Sequence, residues 1–412
     1  MTVAKPAVVI EVEPSPIRGL PRNVFLLGIV SFFADVASEM VYPLIPTFLT
    51  VTLGAPVAAL GVIEGIAEGV ASSLKVVSGW VSDRVRARKP LVVVGYTVSA
   101  LGKLAAALSY VWPVFLAART ADRFGKGVRT SPRDALIADS TPPGLYGRAF
   151  GYHRGMDTMG AVVGPLAGLA LLAALGEDDL RLIFGLAVIP GLLAVLALGR
   201  VRDRPGRPHG DATAPPGAIR DAPVAFWLLL AVLTLFAAGN SSDAFLILRG
   251  RDLGLSLSLV VVAYALYNAV YGLLAGPLGA LSDAVGRRAT LVAGLAVFAL
   301  TYLGMAVAGD DAVVWPLFAL YGVYMALAEG VSKAFVADVV PERSRGALLG
   351  LYHTVMGFAT VLASVVAGVL WQEVSPAAPF VMGAAAAGAA GALLLALPLG
   401  RRPAAAPGGR AG

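Results

Sequence analysis

The feature that most constrains this chain is a short turn that occurs twice, 200 residues apart. Gly79 to Arg84 reads Gly-Trp-Val-Ser-Asp-Arg, Gly279 to Asp283 reads Gly-Ala-Leu-Ser-Asp, and basic residues follow each copy. Each copy closes an apolar run that is long enough to cross a bilayer. A turn duplicated at matching places between apolar runs predicts a membrane protein built from two related halves.

Composition supports a chain embedded in a lipid bilayer. Hydrophobic residues make up 58% and charged residues 14% of the 412 residues, whereas a soluble domain has roughly 45–50% apolar and about 25% charged residues. A soluble fold with so apolar a surface would aggregate. Spans of about 20 residues joined by short loops allow about twelve crossings. We therefore predict an all-α membrane protein with twelve transmembrane helices.

The apolar runs also divide the chain. We place the spans at 23–49, 57–82, 91–111, 113–138, 146–174, 180–200, 223–248, 256–282, 289–308, 313–338, 346–372 and 377–399. Proline- and arginine-rich stretches predict a tail over 1–22 and a flexible linker over 201–222. The expected domains are then a six-helix bundle over 23–200, a second over 223–399, and a tail over 400–412.

Loop charges predict the orientation. Basic residues crowd the loops on one side, for example Arg86, Arg202 and Arg402, while the opposite loops carry acids such as Asp178 and Asp310. By the positive-inside rule, both termini and the linker are cytoplasmic in an inner or plasma membrane. The same distribution explains the net charge of +6 without a nucleic-acid partner.

Several function classes are excluded by residue content. The chain has no cysteine and three histidines, which excludes disulfides and thiolate sites and argues against a histidine-rich metal cage. It contains no nucleophile–base–acid set and no phosphate-binding loop. We therefore expect no enzyme activity, no cofactor and no bound metal.

The duplicated turn resembles the signature loop of the major facilitator superfamily between spans 2 and 3, and its weaker copy between spans 8 and 9. Asp139 and Asp338, with Arg148 and Arg345 behind them, recur in the same way. The resemblance implies the major facilitator fold of two pseudo-symmetric six-helix bundles, a small-molecule substrate and a monomer. It also implies a conformational latch at Gly79, Asp83, Arg84, Arg88, Gly279, Asp283 and Arg288.

Two further motifs carry the resemblance. Arg123 to Gly127 in span 4 is similar to the family's Arg-x-x-Gln-Gly element, with Lys126 in place of glutamine. Span 5 carries a glycine-proline element similar to that of the superfamily's proton-coupled drug and solute antiporters, at Gly160, Gly164, Pro165 and Gly168, here without its final second glycine. That likeness implies export. Glycines four apart also allow close helix packing, which is the alternative interpretation.

Ionisable groups within the spans give the candidate cavity. Each costs about 2.5–3.5 kcal/mol at mid-membrane, so such groups normally face a cavity or a partner. Asp35 falls near the midplane of span 1. The candidates for proton coupling or substrate contact are Asp35, Glu39, Glu64, Glu68, Arg119, Asp122, Arg123, Lys126, Asn240, Asp243, Glu329 and Lys333.

Some of these groups have simpler interpretations. Glu68 with Lys75, Asp122 with Lys126, and Glu329 with Lys333 are spaced as pairs that neutralise one another. His153 and His353 fall near the predicted cytoplasmic ends of their spans and are interpreted as interfacial.

The function that these features favour is secondary active transport by alternating access, as proton-coupled efflux of a small solute. A basic stripe along span 4 supports an alternative, the proton-coupled uptake or exchange of an anion. The stripe consists of Arg119, Arg123, Lys126, Arg129 and Arg133. Metal export and a non-transporting membrane sensor are lesser alternatives.

Overall fold

The computed structural model describes residues 20–85, 88–142, 145–203, 219–341 and 344–397. Within these ranges every regular element is helical. Hydrocarbon offers the backbone no hydrogen-bond partners, and a helix satisfies its own N–H and C=O groups locally. The predicted tails and most of the predicted linker lie outside the described residues.

Helices of the first half follow the predicted spans closely. They are α1 Arg22–Glu39, α2 Ile45–Thr47, α3 Val57–Val85, α4 Arg88–Ala107, α5 Trp112–Asp139, α6 Tyr146–Leu175, α7 Leu180–Leu186 and α8 Val188–Gly199. The predicted span 23–49 is interrupted, since a 3-10 turn at Tyr42–Leu44 and a π-helical turn at Phe48–Thr52 flank α2. Pro43 and Pro46 lie in this interruption, and proline removes a backbone donor.

The second half repeats the pattern. Its helices are α9 Val224–Ala237, α10 Ala244–Asp252, α11 Leu257–Val285, α12 Arg287–Val307, α13 Val314–Val339, α14 Arg345–Glu373 and α15 Ala378–Ala396. The predicted span 223–248 is broken, because residues 238–243 leave helical geometry between α9 and α10. This break contains Asn240 and Asp243.

Ten helical segments of the described chain are long and apolar enough to cross a membrane. The two remaining predicted spans correspond to α5 and to the broken pair α9 and α10. Charged side chains make α5 too polar to count by composition, and α9 has 14 residues. For these two segments a membrane crossing remains a prediction.

Two compact units are present in the chain. The first unit comprises Met1–Phe48 and Val70–Asp211, and the second comprises Leu49–Gly69 and Ala212–Gly412. In the first unit α1 packs on α6 and α8, and α4 packs on α5; in the second unit α12 and α11 pack on α13, and α12 on α15. Buried side chains of the first unit include Val24, Leu27, Val92 and Leu198.

Candidate functional site

The predicted glycine element of α6 forms the surface on which α1 packs. A methyl group built on Gly160 would lie 2.8 Å from the Asp35 Cβ atom, and one built on Gly164 would lie 2.8 Å from the Glu39 Cβ atom. Gly168 meets the Met40 carbonyl oxygen in the same way, at 2.4 Å. The missing side chains therefore let the backbone of α6 approach the two acidic residues of α1.

The basic stripe of α5 faces the same part of α1. Arg133 donates to the Ser31 Oγ atom at 3.2 Å. The two helices belong to the first and fourth predicted spans, so they run in opposite directions. One turn after Ser31 on α1 is Asp35, and one turn before Arg133 on α5 is Arg129, so these two residues are level with each other. A second turn along each helix brings Glu39 level with Lys126.

Asp35 is influenced by charges but bonded to none of them. The charged groups that act on its carboxylate are, in decreasing order, Asp157, Lys126, Glu39 and Arg129. Within the described ranges Asp35 makes no ion pair or hydrogen bond, and its side chain is half-buried. Acids and bases on α1, α5 and α6 therefore share one electrostatic neighbourhood.

Asp122 lies in a different environment, at the packed interface of α4 and α5. Its carboxylate binds Lys103 at 2.7 Å and Arg119 at 3.4 Å, and it accepts a short hydrogen bond from Ser99. All three charged side chains are buried. The neutralising partners of Asp122 are thus Lys103 and Arg119 rather than Lys126, which the spacing suggested.

The remaining cations of α5 differ in how firmly they are held. Arg129 is buried with its guanidinium 4.3 Å from the centre of the Tyr96 ring, and Arg133 is bound to Asp134 at 2.8 Å. Arg123 and Lys126 are half-buried. Arg123 makes no hydrogen bond or ion pair with the described residues, although its charge acts on Asp122.

In the second unit, the break between α9 and α10 carries the polar groups. Asp243 accepts hydrogen bonds from the hydroxyls of Tyr267 at 2.9 Å and Tyr321 at 2.6 Å. The Asn240 amide donates to the Tyr324 hydroxyl at 3.2 Å. A broken helix leaves backbone and side-chain polar groups to be satisfied by neighbouring helices, and α11 and α13 supply these partners.

Other candidates of the second unit lie on α3, α11 and α13. The predicted pairing of Glu329 with Lys333 is confirmed at 3.1 Å, and Tyr271 also donates to Glu329, at 2.5 Å. Glu64 is buried and Glu68 is half-buried. They lie on the part of α3 that packs on α14 through small residues, for example Gly61 against the Ser364 carbonyl.

The latch turn is partly described. The side chains of Asp83 and Arg84 lie outside the described part of the chain, and Gly79 lies against Ser131 of α5. Arg88 binds Asp139 at 2.6 Å, and both side chains are almost fully buried. This pair joins the start of α4 to the end of α5.

The second copy of the turn makes corresponding contacts at a more exposed position. Arg287 binds both Asp283, at short range, and Asp338, at 3.3 Å. Arg288 donates a short hydrogen bond to the Leu395 carbonyl. Gly279 has open space where a side chain would stand. The Arg88–Asp139 and Arg287–Asp338 pairs are therefore related by the internal repeat.

Sequence reasoning missed several partners of these residues. Asp157, the charge that acts most strongly on Asp35, lies three residues before Gly160 on α6. The tyrosines around Asp243 and Glu329 recur at helical spacing, with Tyr264, Tyr267 and Tyr271 on α11 and Tyr321 and Tyr324 on α13. That spacing was a usable signal. Among the described residues no group of three or more side chains could hold a metal ion.

Comparison with known families decides the identity. The sequence profile of the Major Facilitator Superfamily matches residues 27–263 and 244–412. The chain belongs to the major facilitator superfamily. It is 36% identical over 384 residues to an uncharacterised MFS-type transporter of Methanocaldococcus jannaschii, covering 92% of this chain and 95% of that one. It is also 24% identical to the multidrug resistance protein MdtH of Klebsiella pneumoniae, over 82% of both chains.

Solved structures agree with this fold. A POT family transporter in complex with 5-aminolevulinic acid superposes with a TM-score of 0.77 at 12% identity, over 93% of this chain and 98% of that one. The human organic anion transporter MFSD10 superposes with a TM-score of 0.64 at 17% identity, over 92% and 100%. The chain is thus a multi-pass integral membrane transporter of a small molecule, with the major facilitator fold, and not an enzyme.

Proposed function

We propose that this superfamily member is a proton-coupled exporter in which Asp35 carries the proton. The observation that carries the proposal is the environment of Asp35. The Asp35 Cβ atom lies against the glycine surface of α6, the residue is level with cations of α5, and its carboxylate forms no direct bond to any of them. Such a carboxylate can gain and lose a proton without breaking an ion pair.

Neighbouring acids provide the contrast that supports this assignment. Asp122, Asp134 and Asp139 are each held by a cation at 2.8 Å or less. Protonating Asp122 or Asp139 would deprive a buried cation of this counter-ion, which is strongly unfavourable. Protonating Asp35 removes one negative charge from a neighbourhood that also contains Asp157 and Glu39.

The direction of transport rests on two similarities. The element Gly160 to Gly168 resembles that of proton-coupled antiporters, and its glycines lie directly on Asp35 and Glu39. Relatives named as multidrug resistance proteins include that of Klebsiella pneumoniae and one of Cronobacter sakazakii, which is 30% identical over 175 residues. Both similarities favour export of a drug-like solute in exchange for protons.

The proposal also gives roles to the two predicted bundles and to the latch turns. Two six-helix bundles over 23–200 and 223–399 would move by alternating access, with both termini and the linker on the cytoplasmic side. The turns at Asp83 and Asp283 would hold the protein in one of the two conformations of the alternating-access cycle. The arginine pairs behind those turns would fix the ends of α4 and α12, because each binds the end of the next helix.

Exchange of an anion is the second candidate, and one observation favours it. Arg123 and Lys126 are half-buried and lie on the same face of α5, so they could bind an anionic solute. Arg119, Arg129 and Arg133 contribute less to this alternative, since Asp122, Tyr96 and Asp134 already hold them.

Vesicle transport tests the proposal. Purified protein in liposomes should move ethidium, a lipophilic cation, when a pH gradient is imposed, and Asp35→Asn should reduce this flux about 100-fold or more. Ethidium exchange without a gradient should persist in the variant. Asp311→Asn, in an exposed loop, serves as the control for removal of an acid. Full gradient-driven flux in Asp35→Asn would exclude Asp35, and benzoate flux in place of ethidium flux would favour the anion alternative.

A further inference from the structure

A buried histidine and aspartate adjoin Asp35 on α6. The His153 Nδ1 atom lies 3.5 Å from the Asp157 Oδ2 atom, one turn apart on the same helix. His153 is 4% exposed, so its side chain is buried within the protein, and its position at the membrane interface stays a prediction. Ionisable groups within a membrane-spanning helix normally face a cavity or a partner, and here two of them lie within reach of each other.

Both side chains retain an unused polar atom. The His153 Nε2 and Asp157 Oδ1 atoms are buried and have no hydrogen-bond partner among the described residues. Buried polar atoms in folded proteins are normally bonded, and an exception calls for an explanation in terms of function. One unused atom belongs to each end of the pair, so a proton can arrive at one and leave from the other.

His153, Asp157 and Gly160 follow one another along the axis of α6. Counted from Tyr146 at the helix start, His153 lies about 10 Å, Asp157 about 16 Å and Gly160 about 21 Å along the axis. Gly160 marks the level of Asp35. His153 and Asp157 therefore lie between Asp35 and the helix end that the loop charges predict to be cytoplasmic.

Other charged groups also act on this part of α6 and on Asp35. Arg133 and Asp134 act on His153 from α5, and Arg154 and Asp157 act on it from α6. Asp157, Lys126, Glu39 and Arg129 act on Asp35. Arg133 is already held by Asp134 and Ser31. Asp157 is thus the acid whose charge acts on both His153 and Asp35.

We propose that His153 and Asp157 form a proton relay between the cytoplasmic end of α6 and Asp35. The proposal rests on the proposed proton coupling and adds to it a route of proton transfer. In the export direction, protonated Asp35 passes its proton through one intervening water to the Asp157 carboxylate and becomes ionised. Asp157 then passes a proton to the Nδ1 atom of neutral His153 and is again ionised, and the ring releases its Nε2 proton to cytoplasmic water as hydronium. Asp35 loses one proton, one proton reaches the cytoplasm, and Asp157 and His153 regain their initial charges.

Protonation of Asp35 can be followed without a transport substrate. In nanodiscs, infrared spectroscopy after a pH jump should show a protonated-carboxyl band that Asp35→Asn removes. His153→Ala should slow the appearance of this band about 100-fold while leaving its final amplitude unchanged. Asp157→Asn should slow it similarly. Added imidazole should restore the rate in His153→Ala, because the small base can occupy the space left by the ring.

The internal repeat supplies a matched control. His353 follows Tyr352 as His153 follows Tyr152, but His353 is exposed. His353→Ala should leave the rate unchanged.

The outcomes separate the two proposals. An Asp35 band that forms at the wild-type rate in His153→Ala would overturn the relay and leave the coupling role intact. The absence of any band assigned to Asp35 would overturn both. A slow rate that imidazole does not restore, together with loss of thermal stability, would mean that His153 acts through packing, which also overturns the relay.

Discussion

Three acids of the two units have different partners. In the first unit, Asp122 is neutralised by buried cations at 2.7 and 3.4 Å, and Asp35 lies among charges without bonding to any. In the second unit, Asp243 is held by tyrosine hydroxyls. Cations impose a fixed ionised state on a carboxylate, whereas hydroxyls can bond to either of its states.

The different partners of Asp35 and Asp243 suggest different roles for the two units. In the first unit several charged groups lie near Asp35, so one added proton changes the net charge of that neighbourhood. In the second unit Tyr321, which binds Asp243, packs on Tyr324 with tilted rings, and Tyr324 packs edge-to-face on Phe298. We infer that coupling belongs to the first unit, while the aromatic cluster stabilises the broken helix α9–α10.

The largest expected effect concerns the buried pair of the first unit. Asp122→Asn removes the carboxylate that Lys103 and Arg119 bind and leaves the Lys103 charge buried without it, so we expect a loss of about 3–5 kcal/mol in the free energy of unfolding. Adding Lys103→Met should recover part of this loss, because it removes one uncompensated charge. Thermal unfolding in detergent micelles measures both. Equal stability of wild type and Asp122→Asn would show that this carboxylate is not the counter-ion of the two cations.

A smaller effect is expected for the acid of the second unit. Asp243→Asn retains one acceptor oxygen, so one of the two tyrosine bonds persists and the cost should be about 1–3 kcal/mol. Gradient-driven ethidium flux should survive in the variant. If Asp243→Asn abolished the gradient response while exchange continued, coupling would belong to the second unit and the comparison would be reversed.

Packing of α6 on α1 can be tested with two glycines of one helix. Gly160→Ala places a methyl group 2.8 Å from the Asp35 Cβ atom, whereas Gly155→Ala meets nothing within 4 Å. We expect Gly160→Ala to cost about 1–3 kcal/mol through overpacking, and Gly155→Ala to be neutral or slightly stabilising. Thermal unfolding compares them, and similar behaviour of the two variants would mean that α6 does not pack tightly on α1.

The smallest effect is expected at the half-exposed pair of the second unit. Lys333 is 3.1 Å from Glu329, but nearly half of the lysine side chain is exposed. Lys333→Met should therefore change the free energy of unfolding by less than about 1 kcal/mol. A loss as large as that in Asp122→Asn would show that solvent does not screen this pair.

Much of the fold was predictable because the lipid environment imposes a strong pattern. Predicted and observed ends of α3, α6, α11 and α14 agree within a few residues, since apolar runs and loop charges define them. The interruptions were not predicted. Pro43 and Pro46 mark the first one in the sequence, but the break at Asn240 to Asp243 lacks any proline and depends on hydroxyl partners from α11 and α13.

The sequence predicted which residue types form the candidate site, but not which residues each of them contacts. Helical spacing correctly paired Glu329 with Lys333, which lie on one helix. It paired Asp122 with the wrong lysine, because Lys103 reaches Asp122 across the α4–α5 interface. Contacts between helices depend on register and on small residues such as Gly102 and Gly125 that bring the backbones together. Those distances are not encoded in the spacing along one chain segment.

An infrared titration of the protonated-carboxyl region tests the central claim most directly. Wild type and Asp243→Asn, each in nanodiscs, should show a carboxyl group that gains its proton as the pH falls. Asp35→Asn should lack that band while remaining folded. A band that persists unchanged in Asp35→Asn, or one that disappears in Asp243→Asn, would contradict the assignment of the coupling proton to the first unit.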